Sequence, residues 1–143
     1  MSFPHPWDFN ADVSTYYDEH VSKHIPLYAK TIDACLSFAD KLAFTDPILD
    51  FGCGKGMPFT QLQEQMNVYN YDPVTSPIDL PKKADLVYSS DVLEHIEPNF
   101  INSVLQDIDQ YATKYIWLRI DTQPARKELS DGRNAHLIIQ NES

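Results

Sequence analysis

Three of the chain's four glycines, Gly52, Gly54 and Gly56, fall within five consecutive positions. They follow a short apolar run, Ile48 to Phe51, and precede Pro58, after which Phe59, Leu62 and Met66 recur at helical spacing. Proline suits the first turn of a helix, where its missing N–H would have had no partner in any case. The order is therefore strand, glycine turn, helix. Glycine admits positive φ and close backbone approach, and the helix start aims unsatisfied N–H groups at whatever lies beyond the end of the strand.

The rest of the chain supplies similar units. Pro4, Pro6, Phe3, Trp7 and Phe9 make the first ten residues an irregular arm packed by its aromatics. A helix is expected from Ser14 to a break at Pro26, and a second carries Leu27, Thr31, Ala34, Cys35, Phe38 and Leu42 on one face. Val68 to Tyr71 and Ala84 to Ser90 read as strands, the latter with the apolar centre of a strand covered on both faces. Pro98 opens a helix whose Phe100, Ile101, Val104, Leu105, Ile108 and Tyr111 lie on one side, and Tyr115 to Ile120 reads as a fourth strand. Asp131-Gly132 is a turn signal, and His136 to Gln140 is one further strand candidate. Strands alternating with helices imply an α/β fold, a mostly parallel Rossmann-like sheet with flanking helices.

Ligands of such sheets bind beyond the carboxyl ends of the strands, where the glycine turn sits. The dinucleotide fingerprint fails, because its sixth position counted from Gly52 is Met57. The phosphate-cradling loop fails too, because Gly54-Lys55 is followed by Gly56 and not by Ser or Thr in the required frame. What fits is acid-x-Gly-x-Gly-x-Gly after an apolar strand. In Ile48-Leu49-Asp50-Phe51-Gly52-Cys53-Gly54-Lys55-Gly56 the chain resembles the first motif of the class I S-adenosylmethionine-dependent methyltransferases. The resemblance continues through Asp72 at the end of the second strand, Asp79-Leu80-Pro81, Ala84-Asp85-Leu86-Val87 and Asp91-Val92-Leu93-Glu94-His95-Ile96. It covers about positions 45 to 120.

The resemblance implies S-adenosylmethionine as cofactor and S-adenosylhomocysteine as product. It implies that Asp50 orients the methionine amino group, that Gly52, Cys53 and Gly54 admit the cofactor, and that Asp72 takes the ribose hydroxyls. Asp79 or a neighbouring backbone group meets the adenine, and Asp91 borders the cofactor. Two plainer roles stay open: Asp50 also suits a cap of the glycine turn, and Asp72 the start of the Asp72-Pro73 turn. Asp91, Glu94 and His95 follow the strand beside the expected methyl group and are the candidate catalytic residues. His95 is the candidate base, since an unperturbed imidazole titrates near neutrality, and a packed, structural His95 is the alternative. Tyr16, Tyr17 and Tyr28 suit either a lid over the cofactor or the core.

Eleven basic against twenty-one acidic residues give a net charge of −10, which disfavours broad contact with nucleic acid phosphates. Five of the basic residues lie between 114 and 133, read here as solvated loops. No apolar run approaches the roughly 18 residues of a membrane span, and the first ten residues lack a signal-peptide pattern. A cytoplasmic protein is expected, with Cys35 and Cys53 reduced. A length of 143 residues suits one domain: an N-terminal arm and helices over 1–44, a cofactor core over 45–120 and a shortened tail over 121–143.

Twelve residues between Asp72 and Asp85, three of them proline, leave no room for a helix, a strand and a further helix. The core is thus a truncated class I one, similar in size and in Asp131-Gly132-Arg133-Asn134-Ala135-His136 to compact bacteriophage methyltransferases. The expected reaction moves a methyl group to an oxygen or nitrogen of a small acceptor. One alternative is a non-catalytic cofactor-binding module acting through a partner. Another follows from Asp91-x-x-Glu94-His95 with His136, an arrangement similar to the metal site of small-RNA 2′-O-methyltransferases. The primary reading holds no metal. A sheet edge beside Tyr115 to Ile120 invites pairing, with His136 to Gln140 or with a second subunit as a homodimer.

Overall fold

The computed structural model describes residues 28–41, 47–52, 67–72, 80 and 83–139. The N-terminal arm, Tyr16, Tyr17, Cys53, Gly54, Gly56, the helix after Pro58 and Asp79 lie outside these residues. Helix α1 spans Tyr28–Lys41, and strands β1, β2 and β3 span Ile48–Phe51, Val68–Tyr71 and Ala84–Ser90. Two single-turn 3-10 segments, Leu93–His95 and Pro98–Phe100, lead into helix α2, Ile101–Tyr111, and strand β4, Ala112–Arg119.

The four strands form one sheet in the order β2-β1-β3-β4, and every pairing is parallel. Ile48 sits opposite Val68 on one side and Leu86 on the other. Side chains alternate between the two faces. On the α1 face Ile48, Leu86 and Tyr88 pack with Cys35, joined by Leu36, Val68 and Trp117. On the α2 face Leu49, Phe51, Ala84 and Val87 pack with Val104 and Ile108. This double cover explains why β3 is buried along six consecutive residues, and each fully buried aliphatic side chain contributes about 1.5–3 kcal/mol.

α2 buries a narrower stripe than its sequence suggests. Ile101, Val104, Ile108 and Tyr111 face the sheet, whereas Leu105 stands 100° around the helix from Val104 and is exposed. Phe100 precedes the helix, in the 3-10 turn, and is exposed as well.

β4 begins at Ala112, three residues before the expected start, and carries a register irregularity. Ala84 pairs with Ala112 but Leu86 pairs with Tyr115, which gives β4 one extra residue, as a bulge does. In consequence Thr113 and Lys114 both reach Asp85, whose side chain is fully buried: Thr113 Oγ1 donates at 3.0 Å and Lys114 Nζ at 2.7 Å. Lys114 and Arg119 therefore belong to a strand and are ion-paired, unlike the solvated loops expected there, whereas Arg126, Lys127 and Arg133 are exposed in irregular segments as expected, Arg133 pairing with Glu97 and Asp131 at the surface. Beyond β4 the Asp131-Gly132 turn forms as expected, with Gly132 at φ +83. The strand expected from His136 does not form over the described residues. Leu137 and Ile138 both donate their N–H to the single carbonyl of Glu94, at 2.7 and 3.2 Å, a pattern no strand ladder permits.

Among the described residues no helix is long and apolar enough to cross a membrane.

Candidate active site

From β1 the chain moves to β2 on one side, then returns to β3 on the other. The topological switch point therefore lies between the carboxyl ends of β1 and β3, where ligands of open α/β sheets bind. β1 ends in Asp50, Phe51 and Gly52, and β3 runs out through Ser89, Ser90 and Asp91.

Gly52 has φ +78, and a Cβ placed on it would stand 2.6 Å from Val92 Cγ2. Only glycine meets both demands, the left-handed backbone and the approach of Val92. The two strand ends thus interlock. The Gly52 N–H also donates to the Tyr71 carbonyl at 2.7 Å, which ties β2 into the same edge.

Polar atoms without hydrogen-bond partners gather along this edge. They include Asp50 Oδ2 on β1, Asn70 Oδ1 on β2, Ser89 Oγ on β3 and Glu94 Oε2 just beyond it. Buried polar atoms in folded proteins are nearly always paired, so orphans collected at a switch point mark where a ligand's polar groups go. Asp50 is 2% exposed, and burial, with the nearby Asp72 charge, pushes its carboxyl up to about 8. Cys35 lies on the same face; burial first and Asp50 second push its thiol up to about 12, so it is not a reactive thiolate. Asp72 is half-buried immediately past β2. These residues suit S-adenosylmethionine in kind: its ammonium would supply a positive charge that Asp50 lacks among the described residues, and its ribose diol matches a carboxylate at the end of β2.

Past β3, Asp91 adopts φ 54, a left-handed conformation that aspartate tolerates better than most residues. Its Oδ2 accepts from Arg119 of β4 and from Ser90 Oγ, the latter at 3.0 Å. Burial pushes its carboxyl up against the opposing pull of the Arg119 guanidinium. Arg119 was invisible as a site residue in the sequence; only the register, which sets Ser90 opposite Arg119, brings it there.

Glu94 is 0% exposed, and its Oε1 accepts the Asp121 N–H at 3.0 Å. Burial pushes its carboxyl up to about 7. His95 gives its Nδ1 to the Ala135 carbonyl at 2.8 Å, and because a carbonyl only accepts, Nδ1 carries the proton. Burial lowers His95 to about 4, below the near-neutral value its type suggests, so the ring is neutral at pH 7 with its lone pair on Nε2. The His136 ring lies 4.9 Å from that of His95, edge to face. One ligand atom each from Glu94, His95 and His136 falls within 4.8 Å of the others, and Asp91 stands outside this group.

The tail that carries His136 is held by Asn134, a residue its sequence gave no reason to single out. Asn134 Oδ1 accepts the N–H groups of Ala125 and His136, and Nδ2 donates to the Ala125 carbonyl, each at 2.9 Å.

A family model described as a methyltransferase domain matches residues 16–141. The chain belongs to this methyltransferase domain family. No curated protein matches it. The four-stranded parallel sheet with flanking helices is a truncated Rossmann-like methyltransferase core, and members of the family generally use S-adenosylmethionine. In this methyltransferase domain the motif of Asp50 and Gly52 and the Asp91–Ile96 segment meet at one sheet edge. Cys53, Gly54 and Asp79 lie outside the described residues.

Proposed function

We propose that the chain transfers the methyl group of S-adenosylmethionine to an oxygen or nitrogen of a small acceptor. The observation that carries this reading is the buried carboxylate of Asp50, orphaned at the β1/β3 switch point next to a glycine that nothing else can replace. Asp50 binds the methionine ammonium, Gly52 lets the backbone approach, and Asp72 accepts both ribose hydroxyls. When bound, the cofactor supplies an electrophilic methyl on a cationic sulfur.

Methyl transfer needs alignment above all, with a base where the acceptor must lose a proton. His95 is oriented by Ala135 and neutral at pH 7, so Nε2 can take the acceptor's proton as the acceptor lone pair takes the methyl. Glu94 and Asp91 shape the same wall, Glu94 through Asp121 and Asp91 through Arg119. The net charge of −10 favours a small acceptor over a nucleic acid. We extend the proposal to assembly as a homodimer through β4, the last strand of the sheet order, whose Tyr115, Ile116 and Leu118 are exposed.

Two experiments test the reading. Asp72→Ala is expected to weaken S-adenosylhomocysteine binding in calorimetry by about ten- to a hundredfold, the worth of hydrogen bonds to a charged group; unchanged binding removes the ribose assignment. Radiolabelled cofactor incubated with the protein and a metabolite extract is expected to label the small-molecule fraction. Persistent failure across pH and added metals favours a non-catalytic binding module.

A further inference from the structure

We infer that Arg119 is a positioning residue of the methyl-transfer site, holding through Asp91 the turn on which both sides of that site depend. What the turn does rests on the methyl transfer proposed above; how it is held does not.

Asp91 leaves β3 at φ 54, in the left-handed region, where a residue with a Cβ stays only if its surroundings over-determine it. Here the surroundings are chiefly Arg119. Its carbonyl accepts the Asp91 N–H at 3.0 Å, and its guanidinium donates to Asp91 Oδ2, which also accepts from Ser90 Oγ. Backbone and side chain of Asp91 are thereby both tied to one residue of β4, placed there by the register that sets Ser90 opposite Arg119. The pair is shielded, with 17% of the Arg119 side chain and 4% of the Asp91 side chain exposed. A buried ion pair adds little net stability over apolar groups of the same size, so what this one supplies is a single conformation of the turn.

The residues that follow show what that conformation places. Val92 comes so close to Gly52 that a Cβ there would stand 2.6 Å from Val92 Cγ2, which makes the turn one wall of the glycine at the cofactor edge. The chain then coils once, the His95 N–H donating to the Val92 carbonyl at 3.0 Å and the Ile96 N–H to the Leu93 carbonyl at 3.2 Å. That coil carries Glu94 and His95 to the acceptor side. Two residues past Arg119, the Asp121 N–H donates to Glu94 Oε1 at 3.0 Å. The end of β4 therefore grips the segment twice, Asp91 by Arg119 and Glu94 by Asp121. A displacement of Asp91 by about an ångström shifts Val92 from Gly52 and His95 from the acceptor together, and errors of that size are costly where a reaction depends on alignment.

The test is a double-mutant cycle on the full chain, Arg119→Met, Asp91→Gly and the pair, read by calorimetric titration with S-adenosylhomocysteine and by amide hydrogen exchange without it. Circular dichroism establishes that each variant is folded, with Arg119→Gln taking the place of Arg119→Met if it is not. Arg119→Met, which keeps the length of the side chain and removes its charge, is expected to weaken binding by at least about tenfold. Arg119→Lys, which keeps the charge opposite Asp91, is expected to fall between it and the parent. In the Asp91→Gly background the left-handed turn needs no hold, and Arg119→Met is expected to change the affinity by less than about threefold. Exchange at the His95 and Ile96 amides is expected to quicken by about tenfold in Arg119→Met while the Leu86 and Val87 amides of β3 stay protected. Parent-like affinity in Arg119→Met overturns the assignment, as does an equal loss in both backgrounds, which would put Arg119 on the ligand itself. Unchanged exchange at His95 and Ile96 overturns it whether or not the cofactor binds. A parent chain that binds no S-adenosylhomocysteine counts against the methyltransferase reading instead, and the exchange result then decides the turn by itself.

Discussion

A carboxylate deep in a protein without an opposite charge is costly, and Asp50 is placed so that the cost falls on the ligand-free chain. Its folded value is about 8 against an ordinary 3.8. Between those values the folded chain keeps a proton that the unfolded chain has lost, so the Asp50 contribution to stability is complete below pH 3.8 and is lost as pH rises through about 8. Asp50→Asn should remove this slope: thermal melts of parent and variant should diverge toward pH 8, the variant being the more stable, and converge toward pH 4. The same variant should bind S-adenosylhomocysteine more weakly, because the ammonium loses its counter-charge. Parallel melting curves across that range would place the slope elsewhere. Gly52 makes the complementary case for backbone. Gly52→Ala forces a side chain into the left-handed region and against Val92, and urea unfolding should register a loss of about 2–4 kcal/mol.

Among the elements, the tail over 121–139 behaves as a clasp on the turn at Leu93–His95, held by backbone donors to Glu94 and by Asn134. Asn134→Ala should speed hydrogen exchange at the Leu137 and Ile138 amides by about tenfold or more while the amides of β3 stay protected, since only the clasp loses its bonds. Equal acceleration in β3 would mean the tail is part of the global fold. This clasp also marks where sequence reasoning stops. β1 and β3 could be read to the residue because apolar runs bounded by proline, aspartate and glycine follow from burial on two faces, and the half-buried β2 because Asp72-Pro73 closes it. The start of β4 could not, since Thr113 and Lys114 are polar and owe their place to Asp85 across the sheet. Nor could the tail, which has no periodicity and is built from side-chain to backbone hydrogen bonds. At the site, the motif residues Asp50, Asp72, Glu94 and His95 were legible as chemistry. Arg119, Asp121 and Asn134 were not, because their roles exist only once register and chain reversal are known.

At the scale of the molecule, the sheet ends on one side at β4. Tyr115, Ile116, Leu118 and the adjoining Ile120 are exposed there, and among the described residues no strand pairs with its outer edge. Light scattering at micromolar concentration should return the mass of a dimer, and Leu118→Lys should shift it to that of a monomer. A parent chain at monomer mass would set the pairing aside. Truncation of the usual class I core thus has two expected results, an uncovered edge and an acceptor wall supplied by the tail.

The reversal of the tail onto Glu94 also divides the site between two parts of the chain. Every strand of the described sheet lies before residue 120 in the chain, whereas the carbonyls of Gln123 and Ala135 that orient the two histidines come afterwards. The wall formed by Glu94 and the two histidines is thus completed by the last part of the chain, and the sheet edge of Asp50 and Gly52 by the part before it.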